Sequence, residues 1–197
     1  MSDEAGHPES LPAALEARLN TILAEHAVPG AAIAVRFGDR SWLHLHGRRS
    51  IGDAQGVTPR TAFDVGSCSK AYAAVAAALL VQDGAIRWDD SIHTALPELE
   101  MYDSWITRNL SYRDLLSNRV GVARQLPLES FANEEIPVLD ILSRMRHTRP
   151  AGPFRGAYGY WNPGFMAGGA GAARLSGVGY EGFLRDPPFP PLRKHHN

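Results

Sequence analysis

The run Ser67-Cys68-Ser69-Lys70 contains the residues of this chain whose types and spacing could do covalent chemistry. A serine hydroxyl becomes a nucleophile when a neighbouring base removes its proton. Residues three apart on a helix share a face, with Cβ atoms roughly 5–6 Å apart, so the Lys70 amine can reach the Ser67 hydroxyl. Arginine cannot act as this base, because a guanidinium does not lose its proton. The spacing therefore predicts Ser67 as nucleophile and Lys70 as its general base.

The position of Lys70 strengthens this prediction. Lys194 is the only other lysine, and arginine carries the remaining positive charge of the side chains. At a helix N-terminus the unpaired N–H groups and the aligned peptide dipoles disfavour a cation, which favours the neutral amine that a base requires. Two fixed residues also occur by chance, so the pair needs support from elsewhere in the sequence.

Two further segments provide that support. Tyr160-Trp161-Asn162 is a Tyr-x-Asn sequence entering a small-residue helix, and residues 115–122 read Leu-Leu-Ser-Asn-Arg-Val-Gly-Val. In this order the three segments resemble the serine β-lactamase-related family, which includes class C β-lactamases, D-alanyl-D-alanine carboxypeptidases and related esterases and amidases. Members commonly read Phe-x-x-Gly-Ser-x-x-Lys, Leu-Leu-Ser-His-x-Ser-Gly-Leu and Phe-x-Tyr-Ser-Asn. The resemblance extends over residues 11–192.

The resemblance implies a mechanism and a set of site residues. Ser67 attacks the carbonyl of a small ester, amide or peptide-like substrate, and Lys70 is the base for acylation. Tyr160 shares the proton with Lys70 and later helps a water molecule attack the acyl-enzyme, while Asn162 binds substrate and orients Lys70. The Ser67 N–H is one oxyanion donor, and the second comes from a strand carrying a third motif. No cofactor and no metal are expected.

The resemblance also implies an α+β fold, with a helical region following an N-terminal helix and a β-hairpin. The third motif, Lys-Thr-Gly or His-x-Gly, is not found in a suitable place, so we expect a C-terminally truncated member that lacks the C-terminal sheet strands. Residues 1–10 are predicted to be a flexible N-terminus, 11–192 a partial domain and 193–197 a tail. Truncation is expected to impair the hydrolase. The alternative is a non-catalytic remnant, or one part of a split protein that only binds or associates.

Local patterns predict the elements that position the motifs. A helix over residues 11–27, capped by Ser10, has an apolar face that includes Leu15. Strands at 31–37 and 41–47 form a hairpin, and an alanine-rich helix spans 69–82. The remaining signals are a Ser111/Asp114 capping box, a helix from Pro137 through Met145, and turn or cap roles for Asp89 and Asp90.

Composition excludes several function classes. The 197 residues are 44% hydrophobic with a net charge of −1, which gives no electrostatic bias toward nucleic acid or anionic membranes. No apolar run approaches the roughly 20 residues that cross a bilayer. The N-terminus is acidic and polar and lacks a secretory signal, so a cytoplasmic location is expected.

Two residue types and one surface need separate predictions. The single cysteine, Cys68, excludes an internal disulfide and is predicted to be a small buried filler. His44 and His46 have no third metal ligand at a recognisable spacing, so ordinary exposed strand histidines are expected. A hairpin without further strands leaves an open inner edge near Ile33 and Val35, so self-association through that edge is predicted.

Overall fold

The computed structural model describes residues 9–122, 136–177, 179 and 182. The chain divides into two compact units, one ending at Asp64 and the other starting at Val65. The predicted flexible N-terminus lies outside the described residues as far as residue 8, and the predicted tail 193–197 lies outside them entirely.

The first unit contains one helix and one hairpin. Helix α1 spans Ala13–Glu25, strand β1 spans Gly30–Phe37 and strand β2 spans Arg40–Gly47. The strands are antiparallel, with Gly30 opposite Gly47 and Phe37 opposite Arg40. The predicted hairpin is therefore confirmed, but Arg40 belongs to β2 and the turn is only Gly38-Asp39. A turn this short needs a left-handed residue, and Gly38 has φ of +59°.

The predicted Ser10 cap of α1 is wrong. Pro12 occupies the N-cap position, and the helix start has no side-chain cap hydrogen bond. The chain before Pro12 pairs with β2 instead of preceding the helix with a cap. The Glu9 N–H donates to the Ser41 carbonyl at 2.8 Å, and the Glu9 carbonyl accepts from the Leu43 N–H at 3.3 Å. The apolar face is also narrower than predicted, because Leu15 is 44% exposed.

His44 differs from its prediction as an exposed strand residue. It is only 7% exposed, because its ring lies close to α1 residues. Its Nε2 is 3.1 Å from Asn20 Oδ1, and its Nδ1 is 3.9 Å from a Glu16 carboxylate oxygen. The described residues contain no cluster of three or more His, Cys, Asp or Glu side chains that could hold a metal ion.

The second unit is helical. Its α-helices are α2 (Lys70–Gln82), α3 (Ser104–Asn109), α4 (Tyr112–Leu116), α5 (Val138–Ser143) and α6 (Asn162–Ser176). Short 3-10 helices lie at Gly66–Ser69, Ile92–Thr94 and Arg144–His147. With the hairpin, these elements agree with the α+β prediction. Pro137 is the N-cap of α5, which ends two residues before the predicted Met145 and continues as a 3-10 turn.

Helix α6 is central to the second unit and packs against α2 and α4. Its glycines permit this approach: a Cβ on Gly171 would lie 2.6 Å from Ile92 Cδ1, and one on Gly168 would lie 2.9 Å from Leu116 Cδ2. The glycine-rich stretch is therefore a packing surface. The surrounding core includes Ala76, Ala77, Leu80, Ile92, Leu96, Leu99, Leu110, Tyr112, Leu115, Leu142, Met145, Trp161, Ala167 and Ala172.

Both ends of α4 are capped. The predicted capping box is confirmed, since the Ser111 side chain accepts from the Asp114 N–H and the Asp114 carboxylate accepts from the Ser111 N–H. At the other end Asn118 is left-handed, with φ of +55°. The Asn118 N–H donates to the Leu115 carbonyl, and the Arg119 N–H donates to the Asp114 carbonyl. These two bonds form a Schellman motif, in which asparagine replaces the usual glycine.

The predicted turn role of Asp90 is supported, since its carboxylate accepts from the Arg87 N–H at 2.8 Å. Asp89 instead pairs with Arg113 through two hydrogen bonds, of 2.7 and 2.9 Å. Among the described residues, no helix combines the length and apolar character needed to traverse a bilayer.

Candidate active site

The 3-10 turn Gly66–Ser69 presents Ser67 at the start of α2. Gly66 is left-handed with φ of +50°, and its carbonyl accepts a 2.6 Å hydrogen bond from Ser69 Oγ. This single turn has no buried residue, so Ser67 is exposed. Cys68 is exposed for the same reason, and its prediction as a buried filler is wrong. Lys70 follows directly as the first residue of α2.

Three predicted site residues meet at one atom, Ser67 Oγ. Lys70 Nζ donates a hydrogen bond to this oxygen at 2.8 Å. The Tyr160 hydroxyl lies 2.6 Å from it, with either group able to donate. Both distances fall within hydrogen-bond reach of a nucleophile, which is the geometric requirement for a general base. Ser67 thus has two groups that can take or return its proton.

Aromatic rings flank the Lys70 amine. Its Nζ lies 4.8 Å from the centre of the Tyr160 ring and 5.7 Å from the centre of the Phe165 ring. These distances fit cation–π contact and keep water from part of the amine. Phe165 was not predicted as a site residue. Its position three residues after Asn162, on the same face of α6, is the signal that indicates it.

Asn162 is the first residue of α6 and is half-buried. It follows Tyr160 by two residues, and the N-cap between them, Trp161, is extended with φ of −144°. Its role in binding substrate and orienting Lys70 stays a prediction.

Backbone hydrogen bonds from one residue hold the chain on both sides of Tyr160. The Gly159 N–H donates to the Asn118 carbonyl at 2.7 Å, and the Trp161 N–H donates to Asn118 Oδ1 at 2.9 Å. Trp161 is itself only 2% exposed, which fixes the chain after Tyr160 in the core. Asn118 was predicted only as part of the 115–122 motif and without a role in the site. An asparagine after a short helix favours the left-handed conformation found here.

An ion network forms around a buried carboxylate next to this segment, with partly exposed arginines as its cations. Asp114 is fully buried, and its carboxylate accepts from Arg119 Nε at 2.6 Å and from Arg155 at 2.7 and 2.8 Å. Burial raises the pKa of Asp114, but hydrogen bonds from Arg155, Ser111 and Arg119 outweigh burial and hold this pKa at about 2. Arg155 has an unusual left-handed backbone, with φ of +62°, and its double contact with Asp114 helps maintain it.

Comparison with known proteins agrees with this arrangement. The family model for beta-lactamase matches residues 15–196, most of the chain. The chain belongs to the beta-lactamase family. This confirms the family that the three motifs resemble, and the helices and hairpin described above are part of its α+β fold.

Individual members of the beta-lactamase family show how much of the fold this chain includes. A hydrolase of unguisins from Aspergillus campestris is 27% identical over 176 residues, which are 84% of this chain and 32% of the relative. Penicillin-binding protein 4 of Amycolatopsis lactamdurans is 28% identical over 183 residues, covering 91% of this chain and 47% of the relative. The chain therefore spans about half or less of the length of these relatives.

A solved structure gives the same picture for the fold. A class C beta-lactamase matches with a TM-score of 0.74 and 24% identity, over 92% of this chain and 49% of that protein. This likeness shows the class C beta-lactamase fold for the part that the chain spans.

Proposed function

We propose that this chain is a serine acyl hydrolase in which Ser67 forms a covalent acyl-enzyme. The observation that carries the proposal is the contact of Ser67 Oγ with both Lys70 Nζ at 2.8 Å and the Tyr160 hydroxyl at 2.6 Å. Membership of the beta-lactamase family supports hydrolysis as the general activity. The exposure of Ser67 supports access for a substrate.

In acylation, neutral Lys70 takes the proton of Ser67 while Oγ attacks the substrate carbonyl carbon. The bond from that carbon to the leaving oxygen or nitrogen then breaks, and the leaving group departs with a proton supplied through Tyr160. In deacylation, Tyr160 and Lys70 take a proton from a water molecule that attacks the acyl carbon. The acid is released and Ser67 regains its proton.

The proposed substrates are small esters, amides or peptide-like compounds. One relative is named as a hydrolase of unguisins and another as a penicillin-binding protein, and both names are compatible with attack on acyl groups. Asn162, at the start of α6 and two residues from Tyr160, is placed in this proposal as the residue that binds the substrate amide and orients Lys70.

The proposal includes a limit on rate. In the family pattern, one oxyanion donor is the N–H of the nucleophilic serine and the second belongs to the strand with the third motif. Loss of one such donor typically costs about 10²–10³ in rate. A protein consisting of these residues alone is therefore expected to acylate and deacylate Ser67 slowly, because both steps pass through an oxyanion intermediate.

A second candidate is one part of a split protein that only binds or associates. The two-stranded sheet of the described residues favours it, because an isolated hairpin is only marginally stable. On this view Ser67 stays unreactive until another polypeptide completes the sheet.

Covalent labelling tests the first candidate. The protein is treated with a fluorophosphonate and, separately, with a penicillin, and adducts are located by intact-protein and peptide mass spectrometry. We expect one adduct per chain, on Ser67. Ser67→Ala should abolish it, whereas Ser69→Ala, which removes a neighbouring hydroxyl from the same turn, should retain it.

The result distinguishes the two candidates. An adduct on Ser69, or on both serines equally, would contradict the assignment of Ser67 as the activated nucleophile. No adduct on protein shown to be folded by circular dichroism would favour the split-protein candidate.

A further inference from the structure

We propose that Asn118 is a positioning residue for Tyr160, acting through the main chain on both sides of the phenol. This inference rests on the proposed function, because its consequence is the reactivity of Ser67. Its basis is that the Asn118 carbonyl accepts from the Gly159 N–H at 2.7 Å while Asn118 Oδ1 accepts from the Trp161 N–H at 2.9 Å. One residue therefore binds the N–H groups of the two residues on either side of Tyr160.

The geometry of Asn118 suits this role. The Schellman motif at the end of α4 requires a left-handed residue, and Asn118 adopts φ of +55°. Asparagine and glycine tolerate this conformation well, but of the two only asparagine offers a side-chain acceptor. Asn118 is buried, so its oxygen has little competition from water for the Trp161 N–H.

The ion network fixes Asn118 relative to the segment that it holds. Arg119 and Arg155 both bind the buried Asp114 carboxylate, and the Arg155 N–H donates to the Arg119 carbonyl at 2.8 Å. Farther from Tyr160, the Gly121 carbonyl accepts from the N–H groups of Ala151 and Gly152. Several hydrogen bonds thus hold residues 151–161 against residues 118–121, and Asn118 makes the ones nearest to Tyr160.

The contact between the Tyr160 hydroxyl and Ser67 Oγ depends on where the Tyr160 main chain is held. The Tyr160 hydroxyl is 2.6 Å from Ser67 Oγ, close to the short limit for a hydrogen bond between hydroxyls. A displacement of the Tyr160 main chain by about 1 Å would break this contact, and a misplacement of that size can reduce a rate by about 10²-fold. The hydrogen bonds that Asn118 makes to this segment go to Gly159 and Trp161, on either side of Tyr160, so its effect on Ser67 is expected to pass through Tyr160.

Three variants separate the contributions. Asn118→Gly keeps the left-handed backbone and the carbonyl bond to Gly159 but removes the acceptor for Trp161. Asn118→Asp keeps an acceptor oxygen of the same shape. Asn109→Gly removes an exposed side chain at the end of α3 that donates to the Trp105 carbonyl of its own helix. It keeps the main-chain carbonyl that accepts from Arg155, so the ion network retains this bond and the variant serves as a matched control.

The first readout is the rate constant for fluorophosphonate labelling of Ser67, measured at a temperature where every variant is folded. Asn118→Gly should lower this rate by roughly 10- to 100-fold. Asn118→Asp should leave the labelling rate within about threefold of the rate of the original protein. Asn109→Gly should leave it unchanged.

The second readout is a double-mutant cycle with Tyr160→Phe. If Asn118 acts through the Tyr160 hydroxyl, Asn118→Gly should change the rate by less than about twofold once that hydroxyl is gone. A general loss of packing would slow labelling in both backgrounds. Equal rate losses in the two backgrounds would therefore overturn the proposal.

The third readout does not need activity. Amide hydrogen exchange of Trp161 should be faster in Asn118→Gly than in the original protein and in Asn109→Gly, and unchanged exchange would overturn the proposal. A reactive original protein whose Asn118→Gly variant labels equally fast would refute the inference alone. An unreactive Ser67 in the original folded protein would refute the proposed function and the catalytic consequence assigned to Asn118.

Discussion

At the scale of single residues, the central question is whether Lys70 acts as a base or only as a positive charge. Its Nζ donates to Ser67 Oγ at 2.8 Å, a geometry that either role permits. Lys70→Arg keeps the charge but cannot accept a proton. We expect this variant to label with fluorophosphonate about 10²–10⁴-fold more slowly, as measured by intact mass over time. Labelling at the original rate would show that charge alone activates Ser67.

Tyr160 can be tested by removing a single oxygen. Tyr160→Phe deletes the hydroxyl that lies 2.6 Å from Ser67 Oγ. It keeps an aromatic ring beside the Lys70 amine, which lies 4.8 Å from the centre of the Tyr160 ring in the original protein. We expect the labelling rate to fall by about 10²–10⁴-fold, the usual contribution of general acid–base catalysis. The thermal midpoint should change little. A large loss of stability with unchanged labelling would mean that the hydroxyl is structural.

The sequence was informative at this scale where chemistry restricts the residue type. Ser67, Lys70 and Tyr160 were predicted from motifs, and the side chains of Lys70 and Tyr160 both lie within hydrogen-bond reach of Ser67 Oγ. Asn118 was not predicted as a functional residue, because its contacts depend on two segments about 40 residues apart in sequence. The prediction that Cys68 is buried was wrong, because the small size of a side chain does not show whether other residues cover the turn that carries it.

At the scale of elements, Asp114 couples α4 to the segment that leads to Tyr160. Its pKa is held at about 2 in the folded protein, below its ordinary value of 3.8. A carboxylate whose pKa is lower in the folded protein stabilises the fold at pH values above its pKa in the unfolded chain. This contribution is lost as the pH falls through its pKa in the folded protein. We therefore expect the free energy of unfolding to fall by about 2 kcal/mol between roughly pH 4 and pH 2 from this group.

Urea unfolding across this pH range, with Asp114→Asn for comparison, measures the effect. The variant should lack this part of the pH dependence and be about 3 kcal/mol less stable at neutral pH, because two arginines lose their buried partner. Asp39→Asn, in the hairpin turn, leaves the ion network intact and should keep the original acid profile. An unchanged acid profile in Asp114→Asn would contradict the account of the network.

Two glycines of α6 give opposite expectations for the same substitution. Replacing glycine by alanine in a helix interior stabilises the helix by about 1 kcal/mol. At Gly171 the new Cβ would meet Ile92, which is fully buried, so overpacking of about 1–3 kcal/mol should produce a net loss of stability. At Gly168 it would meet Leu116, which is only partly buried and can move aside. Thermal unfolding should rank Gly168→Ala above Gly171→Ala, and the reverse order would contradict the packing described.

Element positions were predictable where a pattern is local. The alanine-rich helix, the hairpin and the capping box of α4 all follow from short stretches of sequence, and each is found. The start of α1 was not predictable from local signals, because Glu9 pairs with β2, more than 30 residues away. Burial of His44 depends in the same way on a contact with α1.

At the scale of the whole molecule, the hairpin presents an unpaired strand edge within the part of the chain that the structure describes. Strand β1 pairs only with β2 in the described residues, and Phe37 at its end is 81% exposed. The outer side of β2 is partly covered by Glu9, so β1 is the open edge. We predict concentration-dependent self-association, detected by analytical ultracentrifugation, and its suppression by Val35→Lys, since charge on an edge strand opposes pairing. A monodisperse monomer at all concentrations would contradict this prediction.

The family and fold class were predictable because three motifs occur in a fixed order. The motifs do not show how much of the fold is present, and the chain covers 49% of a solved class C beta-lactamase.

The most direct test of the central claim is a rapid-quench time course with a chromogenic ester. After acid quenching, intact mass and peptide mapping measure how much acyl group is attached to the chain and where. We predict a burst of leaving group that approaches one equivalent per chain, matched by acylation of Ser67 and followed by slow turnover. Leaving-group release by folded protein without acylation of Ser67, or release that persists in Ser67→Ala, would contradict the claim.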